Sequence, residues 1–358
     1  MSLFHRLKVA RVERETDEAS SFTFDIPEAL RDQFAPQPGQ HINLRLMIDG
    51  QEFRRSYSVS SSWSGALRIT VKRIKGGVVS NYLNDRLKAQ DEIEVMAPTG
   101  SFVLFPYDTA HRSHYFFAAG SGITPIFSML SAVLQAEPHS DCFLLYGNRT
   151  QKTVIFKETL DRWYQEYGAR FHLKHCLTSP SWWSSFDGHK GRIDSQLVQS
   201  WIGENPPVAQ DAQYWICGPG GFRQTVIQSL QGIDVPGYRI HQESFGTDPT
   251  ELDDSVQGQA ARLTVHLGED NAATEPAQAQ EVQVQEGQTL LSAMLEAGWD
   301  APYSCSAGVC ASCRARLTSG SVHMRARMAL DDQEIADGAV LTCQAVPTSD
   351  EVSLRYGS

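Results

Sequence analysis

No stretch of this 358-residue sequence approaches the roughly twenty consecutive apolar residues that a membrane-spanning helix needs, so no membrane partner is expected. Residues 1–14 are charged and carry no apolar leader core, which points to a reducing, cytoplasmic setting. Cysteine is scarce and odd in number, seven residues in all, which argues against a disulfide framework. The H-E-x-x-H and G-x-S-x-G patterns of zinc proteases and serine hydrolases are missing. Positive charge is also short: 31 Lys and Arg face 42 Asp and Glu, a formal net charge of −11 that would repel nucleic acid.

The cysteine that is present is concentrated. Cys305, Cys310, Cys313 and Cys343 fall in the order C-x4-C-x2-C followed by a distant fourth, the ligand spacing of a plant-type [2Fe–2S] cluster. Ser306-Ala307-Gly308-Val309 supplies a small-residue loop between the first two, so backbone N–H groups can turn toward inorganic sulfide. Zinc would favour paired C-x2-C knuckles, and only one such pair is present. Cys142 and Cys176 lie in apolar, strand-like stretches and read as buried thiols. Pro302-Tyr303-Ser304-Cys305 through Cys313, with Leu341-Thr342-Cys343, resembles the plant-type ferredoxins over residues 259–358. That resemblance implies a β-grasp-like α+β domain.

A ferredoxin module uses about a hundred residues, so the chain must hold further domains. The expected division is 1–107, 108–246, a linker at 247–258, and 259–358. The linker reading rests on Asp248, Glu251, Asp253 and Asp254 in a segment with almost no large apolar residue. The last hundred residues hold six basic against thirteen acidic side chains, a balance suited to a basic protein docking face.

Residues 108–246 alternate apolar runs at 114–119, 142–146, 171–177, 214–217 and 238–242 with helical patterns, which predicts an α/β domain with a parallel sheet. The first run enters Gly120-Ser121-Gly122-Ile123-Thr124-Pro125, where Gly120 and Gly122 permit close approach of a pyrophosphate and Thr124 belongs to a helix start. Pro125 stands where the usual dinucleotide fingerprint has its third glycine. A second glycine turn, Cys217-Gly218-Pro219-Gly220-Gly221, follows the fourth run, and two such turns at strand ends predict dinucleotide binding. The histidines His172 and His175 are expected to point to opposite faces of a strand, which excludes a shared metal. Trp182 and Trp183 read as loop packing.

Residues 1–107 show short alternating stretches at 21–24, 41–46, 67–71 and 92–96 separated by glycine turns, the cadence of an antiparallel β-barrel. Arg55-Ser56-Tyr57-Ser58 sets a cation, an aromatic face and hydroxyls along one strand. Gly77-Val78-Val79-Ser80-Asn81 reads as a glycine turn with Ser80 as helix N-cap, a phosphate-binding geometry.

This order of motifs, ending in Glu243-Ser244-Phe245, resembles the ferredoxin–NADP reductase superfamily over residues 1–246. With the C-terminal ferredoxin, the whole chain resembles the reductase components of multicomponent oxygenases, those of the phenylacetyl-CoA epoxidase type in particular. The resemblance implies FAD bound by Arg55, Tyr57, Gly77 and Ser80, with Ser58 near the hydride-accepting nitrogen. Ala97-Pro98-Thr99-Gly100-Ser101-Phe102 resembles the stretch of FAD-binding, rather than FMN-binding, members. It places Cys217, Gly218 and Glu243 at the nicotinamide, Phe245 as the shield of the flavin's other face, and an oxygenase component as electron acceptor. A desaturase or Rieske oxygenase is the alternative acceptor, and a redox sensor without turnover the alternative function. NADPH is the expected donor and NADH the alternative, because Arg149 and Lys152 follow the second strand and no carboxylate appears before Glu158.

Overall fold

Alternation of apolar and charged side chains builds the first lobe of the computed structural model, which describes residues 4–180, 186–246, 252–267 and 279–356. Strand β1 (Phe4–Thr16) buries Leu7 and Val9 while Arg6 and Lys8 face water. It is followed by β2 (Ala19–Asp25), β3 (His41–Ile48), β4 (Gln51–Ser58), β5 (Arg68–Lys72), helix α1 (Val78–Arg86) and β6 (Glu92–Met96). The strands form an antiparallel sheet in the order β4-β3-β6-β1-β2-β5, and a bridge between Val59 and Ile69 brings its two edges together. Val79 and Leu83, one helical turn apart on α1, join the barrel core with Phe22, Ile42, Leu44 and Val95. The sequence reading did not anticipate β1, because its dense charges sit on the outer face and mask the alternation.

The second lobe comprises β7 (Arg112–Ala119), α2 (Ile123–Ala136), β8 (Asp141–Asn148), α3 (Lys157–Glu166), β9 (Phe171–Leu177), β10 (His189–Lys190), α4 (Ser195–Glu204), β11 (Asp211–Cys217), α5 (Gly220–Gln231) and β12 (Ile240–Glu243). The sheet is parallel throughout, in the order β10-β9-β8-β7-β11-β12. Helices α2 and α3 cover one face and α4 and α5 the other, which is why its central strands read as unbroken apolar runs. The chain adds strands on one side of β7 and then on the other, so the topological switch lies beside the carboxyl end of β7. His172 stacks on Phe143 on one face while His175 lies against Tyr146 on the other. At the opposite, amino end of β7, buried Glu137 accepts hydrogen bonds from Arg112 and pairs with His114, and Arg170 donates to the carbonyl of Leu134 in the last turn of α2 and to those of Glu137 and Ser140 in the connection to β8.

Helix α2 also ties the two lobes together. Ser128 accepts the Gly39 N–H at 3.0 Å, and Ser131, three residues on, accepts that of Trp63 at 2.9 Å. The Arg68 guanidinium lies 5.4 Å from the Phe127 ring and 5.1 Å from that of Phe156, and burial lowers its pKa. Residues 1–244 accordingly form one compact unit with two sheets.

The second unit, residues 245–358, contains β13 (Ala261–Leu267), β14 (Ala279–Val284), α6 (Leu290–Glu296), β15 (Arg314–Ser319), β16 (Val322–Met324), α7 (Asp332–Ala336), β17 (Ala339–Leu341), β18 (Ala345–Pro347) and β19 (Glu351–Tyr356). Its main sheet runs β14-β13-β19-β15-β17, with β13 and β19 parallel and the other pairs antiparallel. Leu290, Leu291 and Met294 of α6 pack into its core, giving an α+β, grasp-like arrangement. Of the segment expected as linker, 247–251 lies outside the described residues, as do Trp182 and Trp183. The rest is attached to this unit: the Asp253 N–H donates to Arg325 O at 2.7 Å, and Gly258, with φ +83°, sits where a Cβ would come within 2.6 Å of Val346.

Candidate functional site

The switch point is built from two glycine turns pressed against each other. Gly120, at φ +56°, follows β7 in a left-handed conformation that favours glycine, and buried Tyr146 on β8 donates its hydroxyl proton to the Gly120 carbonyl at 3.1 Å. Gly122 lies so near the end of β11 that a Cβ would stand 2.1 Å from the Cys217 carbonyl oxygen. The Thr124 hydroxyl donates to Ser121 O at 3.0 Å and braces the first turn of α2. A Cβ on Gly218 would stand 2.6 Å from the Phe222 ring and 3.1 Å from Ala119. A 3-10 turn over Gly120–Gly122 leads into α2, and the Ile123 N–H donates back to the Gly120 and Ser121 carbonyls, so the backbone N–H groups of the turn itself are those without a place in the helix ladder, the physical requirement for holding a pyrophosphate. Lys72 of β5 belongs to the same place, its Nζ lying 4.0 Å from where a Cβ of Gly120 would be. The sequence reading missed Lys72 and Tyr146, because neither is near the glycines in sequence.

Ser58, Cys217 and Glu243 are brought together. Cys217 and Glu243 are register partners across β11 and β12, and the Ser58 hydroxyl, at the end of β4, donates to Glu243 Oε2 at 3.3 Å. Burial, and then the Glu243 charge, push the fully buried Cys217 thiol well above its ordinary pKa, so it stays protonated. The three side chains thus supply a neutral thiol, a hydroxyl and a carboxylate at the carboxyl end of the sheet, beside the glycine turns. Phe245 begins the second unit and is 48% exposed.

On β4, Tyr57 packs partly on the barrel core and burial raises its phenol pKa against the lowering effect of Arg55. Arg55 is exposed on the same strand face, and its guanidinium donates to Arg54 O at 2.7 Å. Ser56 and Ser58 take the opposite face, where Ser56 donates to Asn43 Oδ1 at 2.7 Å. The N-cap of α1 is Gly77, which corrects the reading of Ser80 as the cap. Ser80 lies in the first turn, buried, and its hydroxyl accepts the Ile74 N–H at 3.1 Å; a Cβ on Gly77 would crowd that hydroxyl at 2.7 Å. Ser80 therefore shapes the turn from within, and the exposed donors are the backbone N–H groups of the helix start. Pro98 to Phe102 crosses between the lobes, with the Phe102 ring edge-on to Trp215 at 5.7 Å.

Arg149 ends at the carboxyl edge of the parallel sheet, exposed, one residue after β8. A reciprocal capping box between Thr150 and Thr153 shapes the next turn and leaves Lys152 exposed beside it.

None of the seven cysteines is joined in a disulfide. Cys310, Cys313 and Cys343 are buried, and Cys305 lies within hydrogen-bonding reach of both Cys310 and Cys343. Ser306 at φ 52°, Gly308 at φ +73° and Ala311 at φ 54° all adopt left-handed conformations, which turn successive N–H groups to one side of the loop. One of these, the Ala307 N–H, donates to Cys305 Sγ at 3.3 Å. A Cβ on Gly308 would stand 2.8 Å from Ala326 O, so the loop backs onto the segment behind it. Among the described residues no three of His, Cys, Asp and Glu converge as a site for one ion. Four thiolates shared between two irons need no such single focus, and the soft, all-sulfur donor set fits an iron–sulfur cluster.

Three family models match the chain in succession. The oxidoreductase FAD-binding domain matches residues 6–104, the oxidoreductase NAD-binding domain residues 116–228, and the 2Fe-2S iron-sulfur cluster binding domain residues 274–348. The chain is 35% identical over 357 residues to one of the subunits of the 1,2-phenylacetyl-CoA epoxidase of Escherichia coli, covering 99% of this chain and 98% of the relative. It is 34% identical over 363 residues to the ferredoxin reductase component of 3-ketosteroid-9-alpha-monooxygenase from Rhodococcus rhodochrous, covering 98% and 96%. Among solved structures, phthalate dioxygenase reductase, described as a modular structure for electron transfer from pyridine nucleotides to [2Fe-2S], superposes with a TM-score of 0.56 at 25% identity over 99% of this chain and 98% of that one. No helix among the described residues is long and apolar enough to cross a membrane. FAD, a nicotinamide nucleotide and a [2Fe–2S] cluster are therefore the chain's cofactors, and the chain belongs to the ferredoxin–NADP reductase-type flavoproteins with a plant-type [2Fe–2S] domain, the reductase components of oxygenase systems.

Proposed function

We propose that this reductase takes hydride from NADPH at the Ser58–Cys217–Glu243 constellation and delivers electrons in the cytoplasm to an oxygenase of the phenylacetyl-CoA epoxidase type. The observation that carries the hydride site is the 3.3 Å contact between Ser58 of the barrel and Glu243, itself paired in register with Cys217. Bound flavin accepts two electrons as hydride and releases them singly, as a [2Fe–2S] acceptor requires. The chain's own residues position and exclude. Ser58 is oriented by the Glu243 carboxylate, and the protonated, buried Cys217 closes the nicotinamide side without adding charge. Arg55 and the N–H groups of the α1 start would hold flavin phosphate, the Gly120–Thr124 turn and Gly218 would hold the dinucleotide, and Tyr57 would lie against the flavin ring. Cys305, Cys310, Cys313 and Cys343 ligate the cluster. The 1–107, 108–246 and 259–358 division of labour belongs to the same reading.

Similarity to the Escherichia coli epoxidase component over nearly both full lengths supports the choice of acceptor. The purified chain, mixed with the oxygenase subunits of such a system, should couple NADPH oxidation and oxygen uptake to phenylacetyl-CoA. Active cytochrome c reduction without that coupling would reject the acceptor and leave the reductase reading intact. Similarity to the steroid monooxygenase reductase supports a second acceptor class, and coupling to its oxygenase in the same assay would favour it. Flavin released by heat should shift to FMN on phosphodiesterase treatment, as FAD does; flavin that is FMN before treatment would contradict the FAD assignment.

NADPH is favoured over NADH by the exposed cations Arg149 and Lys152 at the end of β8. A 2′-phosphate beside Arg149 gains charge-assisted hydrogen bonds that a ribose hydroxyl lacks. Arg149→Ala should weaken NADPH use by about 1–3 kcal/mol in kcat/KM and leave NADH use nearly unchanged. A wild-type preference for NADH, or equal losses with both donors, would reject the assignment.

A further inference from the structure

We propose that Ser312 sets the reduction potential of the cluster, its hydroxyl donating a hydrogen bond to the Cys310 sulfur and making one-electron reduction easier. The inference rests on the assignment of the four cysteines as ligands. Ser312 Oγ lies 3.1 Å from Cys310 Sγ, and the two residues are 9% and 6% exposed. They meet because Ala311 between them is left-handed, at φ 54°, which folds the chain back over two residues where an extended backbone would carry them apart. A ligating cysteine is a thiolate and has no proton, so the hydroxyl must be the donor in this pair.

One electron from reduced flavin, which is thereby oxidised by one electron, adds one negative charge to the sulfur cage. No bond to hydrogen breaks, and the serine keeps its proton. The O–H dipole stabilises the more negative state over the less negative one, and burial strengthens the effect by keeping water away. The Ala307 N–H acts on Cys305 in the same sense, but it is backbone and stays in every variant. Ser312 is a side-chain contribution that substitution can remove.

The test uses the full holoprotein and a redox titration of the cluster followed by electron paramagnetic resonance. Ser312→Ala should shift the one-electron equilibrium against reduction by roughly three- to tenfold, tenfold being 59 mV for one electron. Ser312→Thr, which keeps the hydroxyl, should stay near wild type. Transfer to ferricyanide, which takes electrons from flavin, should be unchanged in both. An unchanged potential in Ser312→Ala with the visible spectrum intact overturns the proposal while leaving the ligands in place. Should the alanine variant fail to load, Ser312→Val against Ser312→Thr decides by the same potentials, and cluster loss in both Ala and Val variants would place Ser312 in assembly and overturn the tuning role. A wild-type protein without a [2Fe–2S] signal would instead overturn the ligand assignment.

Discussion

Cys313→Ser should abolish the visible absorption of the cluster and, with it, electron delivery to cytochrome c, while hydride transfer to flavin persists. A serine oxygen is a harder and far less acidic ligand than thiolate, and one lost sulfur leaves an iron short of its four ligands. The backbone at this position is held independently of the sulfur, since the Thr342 N–H and hydroxyl donate to Cys313 O at 3.2 and 3.1 Å. The substitution should therefore leave the fold of residues 245–358 in place. The proposed hydride site draws on Ser58, Cys217 and Glu243, all within the compact unit of residues 1–244. Retained FAD and retained NADPH–ferricyanide activity are the expected readouts. Loss of flavin in this variant would refute the division between the hydride site and the cluster module.

Gly122→Ala should cost about 10²-fold in kcat/KM for the nicotinamide donor, the scale of an ångström's misplacement in a positioned reactant. The backbone of Gly122 is ordinary, with φ −59°, so alanine brings no conformational strain of its own. Its methyl group, however, would stand 2.1 Å from Cys217 O and 2.9 Å from Gly218 N. The start of α2 and the end of β11 must then separate, moving the pyrophosphate turn and the nicotinamide pocket together. Gly203→Ala on α4, outside both glycine turns, is the control, because a Cβ there meets nothing within 4 Å and alanine suits a helix better than glycine. Stopped-flow flavin reduction on variants with full flavin and cluster content measures the effect. A Gly122→Ala enzyme reduced at the wild-type rate and with wild-type nucleotide affinity would refute the tight packing of the two turns.

Much of the site was legible in the chain because its chemistry is local. Cys305, Cys310 and Cys313 come from one loop, and the glycines at 120, 122 and 218 stand where strands end, so spacing alone was enough to propose their roles. Ser80 shows where that reasoning stopped. A serine near a helix start resembles a cap, yet the helix begins earlier at Gly77 and the hydroxyl turns inward to Ile74, which depends on how α1 packs on the barrel. The 13-residue β1 escaped for a similar reason: only its pairing with β2 and β6 shows which of its charges face water.

By itself the sequence determined the order of sheet types and the parallel character of the middle sheet, since each is written in period-two and period-3.6 patterns, and the cysteine spacing pointed to the cluster, while FAD was implied by the family resemblance. Tertiary structure alone decided that Tyr146 and Lys72 reach Gly120, and that Ser128 and Ser131 bind the barrel to the helix that starts at the nucleotide turn. Those contacts join residues far apart in sequence, and a hydrogen bond reads distance and direction in space, which no local pattern encodes.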